Sequence, residues 1–190
     1  FSKTLLEVCE GQAYDKDFET SGNVSLSAYE KMIRKKTGAL IEAAAKMGGI
    51  LGRGDSRQVT ALGDFGRSIG EAFQIQDDLL DLVSSGDVSG KPQASDIKAK
   101  KRTFLTIHFL ETANEQQRKE FNKFFGSDEL ADHEIGRVRE LMLATSTLAA
   151  AEERSADLLA RAQESLLTLP ENRARDELSR FAQSLRKRIV

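Results

Sequence analysis

Apolar residues recur at helical spacing along nearly the whole chain, and the strict alternation expected of strands is scarce. The pattern predicts helices over 1–12, 26–35, 37–52, 56–83, 101–112, 115–125, 133–168 and 171–188. Ser25-Leu26-Ser27 ahead of Ala28-Tyr29-Glu30 reads as a helix start, with Glu30 placed after Ser27 as in a capping box. Glu10-Gly11-Gln12-Ala13-Tyr14-Asp15 reads as a helix ending. Glycines, serines and Pro92 make 84–92 the clearest loop, and a second break falls near Gly126-Ser127-Asp128. Pro170 suits the first position or cap of the last helix. The expected fold class is all-α, one helical domain over 1–190.

One predicted helix carries an unusual stripe. In Ala72-Phe73-Gln74-Ile75-Gln76-Asp77-Asp78-Leu79-Leu80-Asp81-Leu82-Val83 the polar positions are Gln74, Gln76 and three aspartates. At about 100° per residue, Gln74, Asp77, Asp78 and Asp81 share one arc while apolar residues fill much of the rest. A helix of this kind is largely buried, and unpaired carboxylates there cost several kcal/mol, so cations or a solvated cavity are expected. Asp77 and Asp81 stand one turn apart, close enough to share a metal. Oxygen ligands with room for water suit Mg²⁺. Carboxylates near a helix C-terminus also oppose the macrodipole, which is more expected of a site than of decoration. The bland alternative is a solvated helix end.

Cations follow the stripe: Lys91, Lys98, Lys100, Lys101 and Arg102, with Asp96 among them. Ammonium groups after a carboxylate helix suit a diphosphate, with metal on some oxygens and lysines on others. A solvated lysine cluster at a helix start is the preferred reading of Lys98 and Lys100. Upstream, Arg34-Lys35-Lys36-Thr37-Gly38 sets three cations beside a hydroxyl and a glycine, which alone reads as a surface charge run. The net charge of -2 gives no general attraction to nucleic acid or anionic membrane, so any phosphate binding must come from such local clusters. Cys9 is alone, which excludes an internal disulfide and fits a reducing compartment. No apolar run approaches the ~18 residues that span a bilayer.

Taken in order, Gly11-Gln12-x-x-Asp15, Lys36-Thr37-Gly38, Gly70-x-Ala72-Phe73-Gln74-x-x-Asp77-Asp78-x-x-Asp81, Gly90-Lys91-Pro92 and Ser95-Asp96-Ile97 with Lys101 resemble the polyprenyl synthetase family, the trans-isoprenyl diphosphate synthases. The resemblance covers the whole chain but only the later part of a family member. It implies a helical bundle of the isoprenoid synthase type, lacking the N-terminal helices. It implies a Mg²⁺-dependent prenyltransferase of isoprenoid biosynthesis that joins an allylic diphosphate to isopentenyl diphosphate, head to tail, giving short-chain products such as geranylgeranyl or farnesyl diphosphate. Asp77, Asp78 and Asp81 would bind the metal. Lys36, Thr37 and Lys101 would act on the allylic diphosphate, and Lys91 would contact it. Gln74 would lie adjacent, with Gln12 and Asp15 near by. The basic end Arg186-Lys187-Arg188 is similar to family C-termini that close over the second diphosphate.

The sequence departs from the family in two respects. The first aspartate-rich motif, the upstream basic residues and the product-length residues do not occur in these 190 residues, and the chain starts at Phe1. A piece of a longer enzyme is the expectation, with a natural partial protein as the alternative. Lys100 stands where the family often has a small residue, so Lys98, Lys100 and Lys101 compete for one role. The competing functions are a non-catalytic subunit of a prenyl synthase heteromer and a terpene cyclase. A cytoplasmic homodimer is expected by resemblance, with no nucleic-acid partner and no membrane span.

Overall fold

The computed structural model describes residues 2–83 and 93–186, all of them helical or in connections, with no strand among them. The helices are α1 (Ser2–Thr20), α2 (Leu26–Ile33), α3 (Ala39–Leu51), α4 (Ser56–Val83), α5 (Ser95–Lys98), α6 (Phe104–Thr112), α7 (Glu115–Phe121), α8 (Asp132–Ala144), α9 (Thr147–Leu166) and α10 (Arg173–Arg186). The expected loop over 84–92 lies outside the described residues.

The centre of the structure is α4, which packs most extensively on α9 and α3. Its start is fixed by a reciprocal cap: Gln58 N–H donates to Asp55 Oδ1 at 2.8 Å, and Asp55 N–H to Gln58 Oε1 at 3.1 Å. Phe65, Ile69, Ile75, Leu79 and Leu82 are all buried along it. Each such side chain contributes about 1.5–3 kcal/mol, which outweighs the few tenths to ~1 kcal/mol lost by acidic groups near a helix C-terminus. That end is also held from outside, where Arg139 of α8 donates to the Leu82 carbonyl at 2.7 Å. Gln76 faces away from the acidic stripe and donates to Ser155 of α9 at 3.1 Å, pinning the rotation of α4 within the core.

Residues 34–38 form one π-helical turn, Arg34–Gly38, which makes α2 and α3 a continuous run rather than two helices. Ala39 N–H reaches back to the Arg34 carbonyl, and the wider turn swings Lys36 and Thr37 to the side facing α1 and α4. Glycines set the spacing there. A Cβ on Gly70 would lie 2.7 Å from Gly38 Cα, so the end of the π turn and α4 approach backbone to backbone.

Several boundaries differ from expectation. The first helix does not end at 12 but runs through Glu10-Asp15 to Thr20, because Gly11 is packed against the π turn. Ser25, not Ser27, caps α2 by accepting from Ala28 N–H at 3.2 Å, and Glu30 pairs instead with Arg154 of α9. The span 101–112 begins only at Phe104, after the Thr103 cap, and 115–125 ends at Phe121, ahead of turns that lead to Gly126 at φ +88°. The expected helix 133–168 is two, broken where Ser146 takes φ 55°. In the last helix Asn172 accepts from Arg175 N–H at 3.0 Å and is the cap, leaving Pro170 outside it. The short α5 has no counterpart in the pattern.

On the α3–α4 surface, Glu42 accepts two bonds from Arg67, at 2.8 and 3.0 Å, and pairs with Lys46. The Arg67 hydrogen bonds outweigh partial burial and lower the Glu42 carboxyl from 4.5 to about 2. A depressed carboxyl stabilises the fold above its unfolded value, and that contribution disappears as pH falls through about 2. Arg67→Ala is therefore expected to lower the melting midpoint by about 2–4 °C at pH 7. The gap to the parent should narrow between pH 4.5 and 2 when the two are compared by circular dichroism.

Candidate functional site

The C-terminal half of α4, the π turn, the middle of α1 and the α5–α6 connection meet at one place. Asp78 is its buried hub, 5% exposed. Its Oδ2 accepts from the Tyr29 hydroxyl at 2.6 Å and from Phe104 N–H, at the start of α6, at 3.2 Å. Its Oδ1 accepts from Gln74 Nε2 at 3.2 Å, and Gln74 Oε1 in turn accepts from the Thr37 hydroxyl at 2.8 Å. Burial, and next the charge of Asp96, push the Asp78 carboxyl up to about 7 against these hydrogen bonds. Burial, with the Asp78 charge and hydrogen bond adding to it, raises the Tyr29 phenol well above its ordinary value.

Asp78 is not an unpaired carboxylate: protein donors meet it on both oxygens, although burial still raises its carboxyl. Asp81 is also engaged: Oδ1 accepts from Ser95 N–H at 3.2 Å and the Ser95 hydroxyl at 2.5 Å, and Oδ2 from Asp96 N–H at 3.0 Å. It thereby anchors the chain where α5 begins, next to Ala94 in the left-handed region at φ 55°. Asp77 is half-buried on the same arc.

The cations close the ring. Lys36 Nζ donates to Asp15 Oδ2 of α1 at 2.7 Å, and Lys101 Nζ to Asp96 Oδ1 at 2.6 Å. Burial lowers the Lys101 ammonium, but Asp96, Asp15 and Asp81 outweigh that and hold it above its usual value. Asp96 itself is raised by burial, then by repulsion from Asp81, with Lys101 opposing and Asp77 adding. Carboxylates from α4 and α5 thus repel one another beside two lysines. That surplus of negative charge fits a divalent cation, with Asp77 and Asp81 as the residues to hold it. In the described residues, without any ion, no three acidic, histidine or cysteine side chains are drawn together into a ligand set.

Among the competing lysines, Lys101 joins this cluster through its bond to Asp96, whereas Lys100 is in the left-handed region at φ 56°, its methylenes against Gly126. Gln12 is exposed on α1 and enters none of these bonds. Lys91 lies outside the described residues, as do Lys187 and Arg188 beyond Arg186. The sequence reading missed Tyr29, which sits in an ordinary amphipathic helix, and gave Asp96 no role. The tight spacing of Ser95-Asp96 behind the stripe was the one available signal.

A family model described as Polyprenyl synthetase matches residues 1–142. The chain belongs to that family. It is 41% identical, over 94% of its own length and 54% of the relative's, to the short chain isoprenyl diphosphate synthase of Methanothermobacter thermautotrophicus. The crystal structure of geranylgeranyl pyrophosphate synthetase from Pyrococcus horikoshii superposes with a TM-score of 0.89 at 39% identity, covering 98% of this chain and 56% of that one. Geranylgeranyl pyrophosphate synthase from Corynebacterium glutamicum, complexed with isoprenyl diphosphate and magnesium, gives a TM-score of 0.88 at 27% identity over 96% of this chain and 52% of that one. The polyprenyl synthetase chain described above therefore spans about half the length of the curated relatives it matches. No helix among its described residues is long and apolar enough to cross a membrane.

Proposed function

We propose that this chain supplies the allylic-diphosphate side of a prenyltransferase that condenses an allylic diphosphate with isopentenyl diphosphate, head to tail, to short-chain isoprenyl diphosphates. The observation that carries the reading is the convergence of Lys36, held by Asp15, and Lys101, held by Asp96 and within the field of Asp15 and of Asp81 on α4, in a member of the polyprenyl synthetase family. Lys36 and Lys101 are each held by one carboxylate, so both ammonium groups are fixed in direction and can exchange Asp15 and Asp96 for diphosphate oxygens. As the allylic carbon–oxygen bond breaks, the electron pair leaves with the diphosphate, and the two lysines stabilise the charge that develops there. Gln74 and Thr37 orient the same leaving group. The alkene of isopentenyl diphosphate then attacks the allylic cation, and loss of a proton restores a double bond. A bound Mg²⁺, held by Asp77 and Asp81 in this reading with Asp78 behind them, adds Lewis-acid stabilisation of the leaving diphosphate.

The proposal includes a cytoplasmic homodimer. Leu5 and Leu6 of α1 and Leu40, Met47, Ile50 and Leu51 of α3 are exposed, which is apolar surface suited to further helices or a second copy. The test is product formation by the full-length protein as its gene encodes it, with an allylic diphosphate, isopentenyl diphosphate and MgCl₂. Product that disappears with chelator supports the reading, and no turnover with any allylic substrate overturns it. Lys36→Ala is expected to lower kcat/KM by about 10²–10³.

A further inference from the structure

Tyr29 is 1% exposed, and its ring packs edge-on against Phe104 with centroids 6.2 Å apart. That much is ordinary core. Its hydroxyl is not, because it donates to Asp78 across 49 residues of chain and is the shortest of the three bonds that carboxylate receives. In its ionised form Asp78 only accepts, so the polarity of everything beyond it follows. Gln74 must offer Asp78 an N–H, and its carbonyl therefore turns to Thr37, whose hydroxyl donates. The chain of bonds runs from Tyr29 on α2, through Asp78 and Gln74 on α4, to Thr37 on the π turn. Phe104 N–H from α6 completes the seat.

We propose that Tyr29 is a positioning residue of the diphosphate-and-metal site, acting through Asp78 to fix the orientation of the Gln74 amide and the Thr37 hydroxyl. This rests on the function proposed above. It assigns the buried aspartate a task different from its neighbours: Asp77 and Asp81 face the cluster, while Asp78 transmits a direction from the core. With the phenol gone, Oδ2 keeps one donor, the carboxylate can turn, and Gln74 loses the constraint that sets which end of its amide faces Thr37.

The probe is inorganic pyrophosphate with MgCl₂, measured by titration calorimetry on the full-length protein, with thermal unfolding in parallel. Tyr29→Phe keeps the ring and its packing on Phe104, so the unfolding midpoint should move little. The affinity for magnesium pyrophosphate should fall about ten- to hundredfold. Asp78→Asn gives an independent arm. Its amide nitrogen in place of Oδ1 would face Gln74 and force that amide to reverse, so affinity should fall as well, and adding Tyr29→Phe should then cost little more. Unchanged affinity in Tyr29→Phe overturns the proposal, and so does an equal further loss in the double variant, since Tyr29 would then act by another route. If Tyr29→Phe fails to fold, unchanged affinity in Asp78→Asn still overturns it. Failure of the parent protein to bind magnesium pyrophosphate overturns the functional reading itself, which separates the two.

Discussion

In the full-length protein, Asp81→Asn should cut the proposed prenyl transfer by about two to three orders of magnitude while lowering the unfolding midpoint by only about 2–8 °C. The two effects have different sources. Asparagine retains the size of the side chain and one acceptor oxygen, so the bonds from the Ser95 N–H and hydroxyl survive. Its amide nitrogen then faces Asp96 N–H, donor against donor, at a cost of about 1–2 kcal/mol. Part of that is returned, because a neutral residue no longer repels Asp96. The charge that the proposed metal would use, by contrast, is lost entirely. Asp81→Ala is the control: it removes all three acceptor contacts and should destabilise more for a similar loss of activity. A steady-state assay set beside thermal unfolding separates the two. Equal fractional losses of activity and stability in Asp81→Asn would reduce Asp81 to an anchor for α5.

The all-α class was readable because the apolar period is helical over long spans and the strongest case, α4, is both buried and capped. Its expected start at 56 coincides with Ser56, and it stays helical through Val83, the last residue described before 93. The misread boundaries share a cause: the deciding contact lies far away in sequence. Gly11 looks like a helix stop because glycine costs about 1 kcal/mol inside a helix, yet here it is the point of contact with the π turn. The break at Ser146 carries no glycine or proline, and the Arg34–Gly38 run reads as surface charge, with nothing in it that specifies a π turn. The candidate site was legible to the same depth. Spacing put Gln74, Asp77, Asp78 and Asp81 on one arc, as observed. It could not tell which aspartate would be sealed, because that depends on Tyr29 and on the Phe104 amide. Nor could it choose among Lys98, Lys100 and Lys101, since the choice follows from a left-handed residue at 100 and from Asp96.

Gly11→Val is expected to detach α1 from the cluster rather than to unfold the whole chain. A Cβ at Gly11 would lie 2.3 Å from Lys36 N, 2.7 Å from Lys36 Cα and 2.8 Å from Lys35 C. These are backbone atoms of the π turn, which cannot rotate away as a side chain can, so one helix must shift. Overpacking of this kind costs about 1–3 kcal/mol or more, and valine adds two methyl groups to the clash. Little opposes it. Gly11 is the one fully buried residue among those described in α1. The rest of the attachment includes Tyr14 and Phe18, partly buried against the core, with Lys36 to Asp15, Lys35 to Glu10, and the Lys31 and Lys35 ammonium groups over the Tyr14 ring at 5.2 and 5.9 Å. Pairs this exposed are worth about 0–1 kcal/mol each. The core around α4 and α9 draws on α1 only through the partly buried Tyr14 and Phe18 at its edge, so it should keep its helicity and most of its melting midpoint. Limited proteolysis should show new early cleavage within residues 2–20, and Lys36, without Asp15, should lose its fixed direction along with most of the activity. Gly11→Ala should give the same pattern more weakly. A protease map identical to the parent's in Gly11→Val would mean that the helices part without consequence, and that Lys36 is held by the π turn alone.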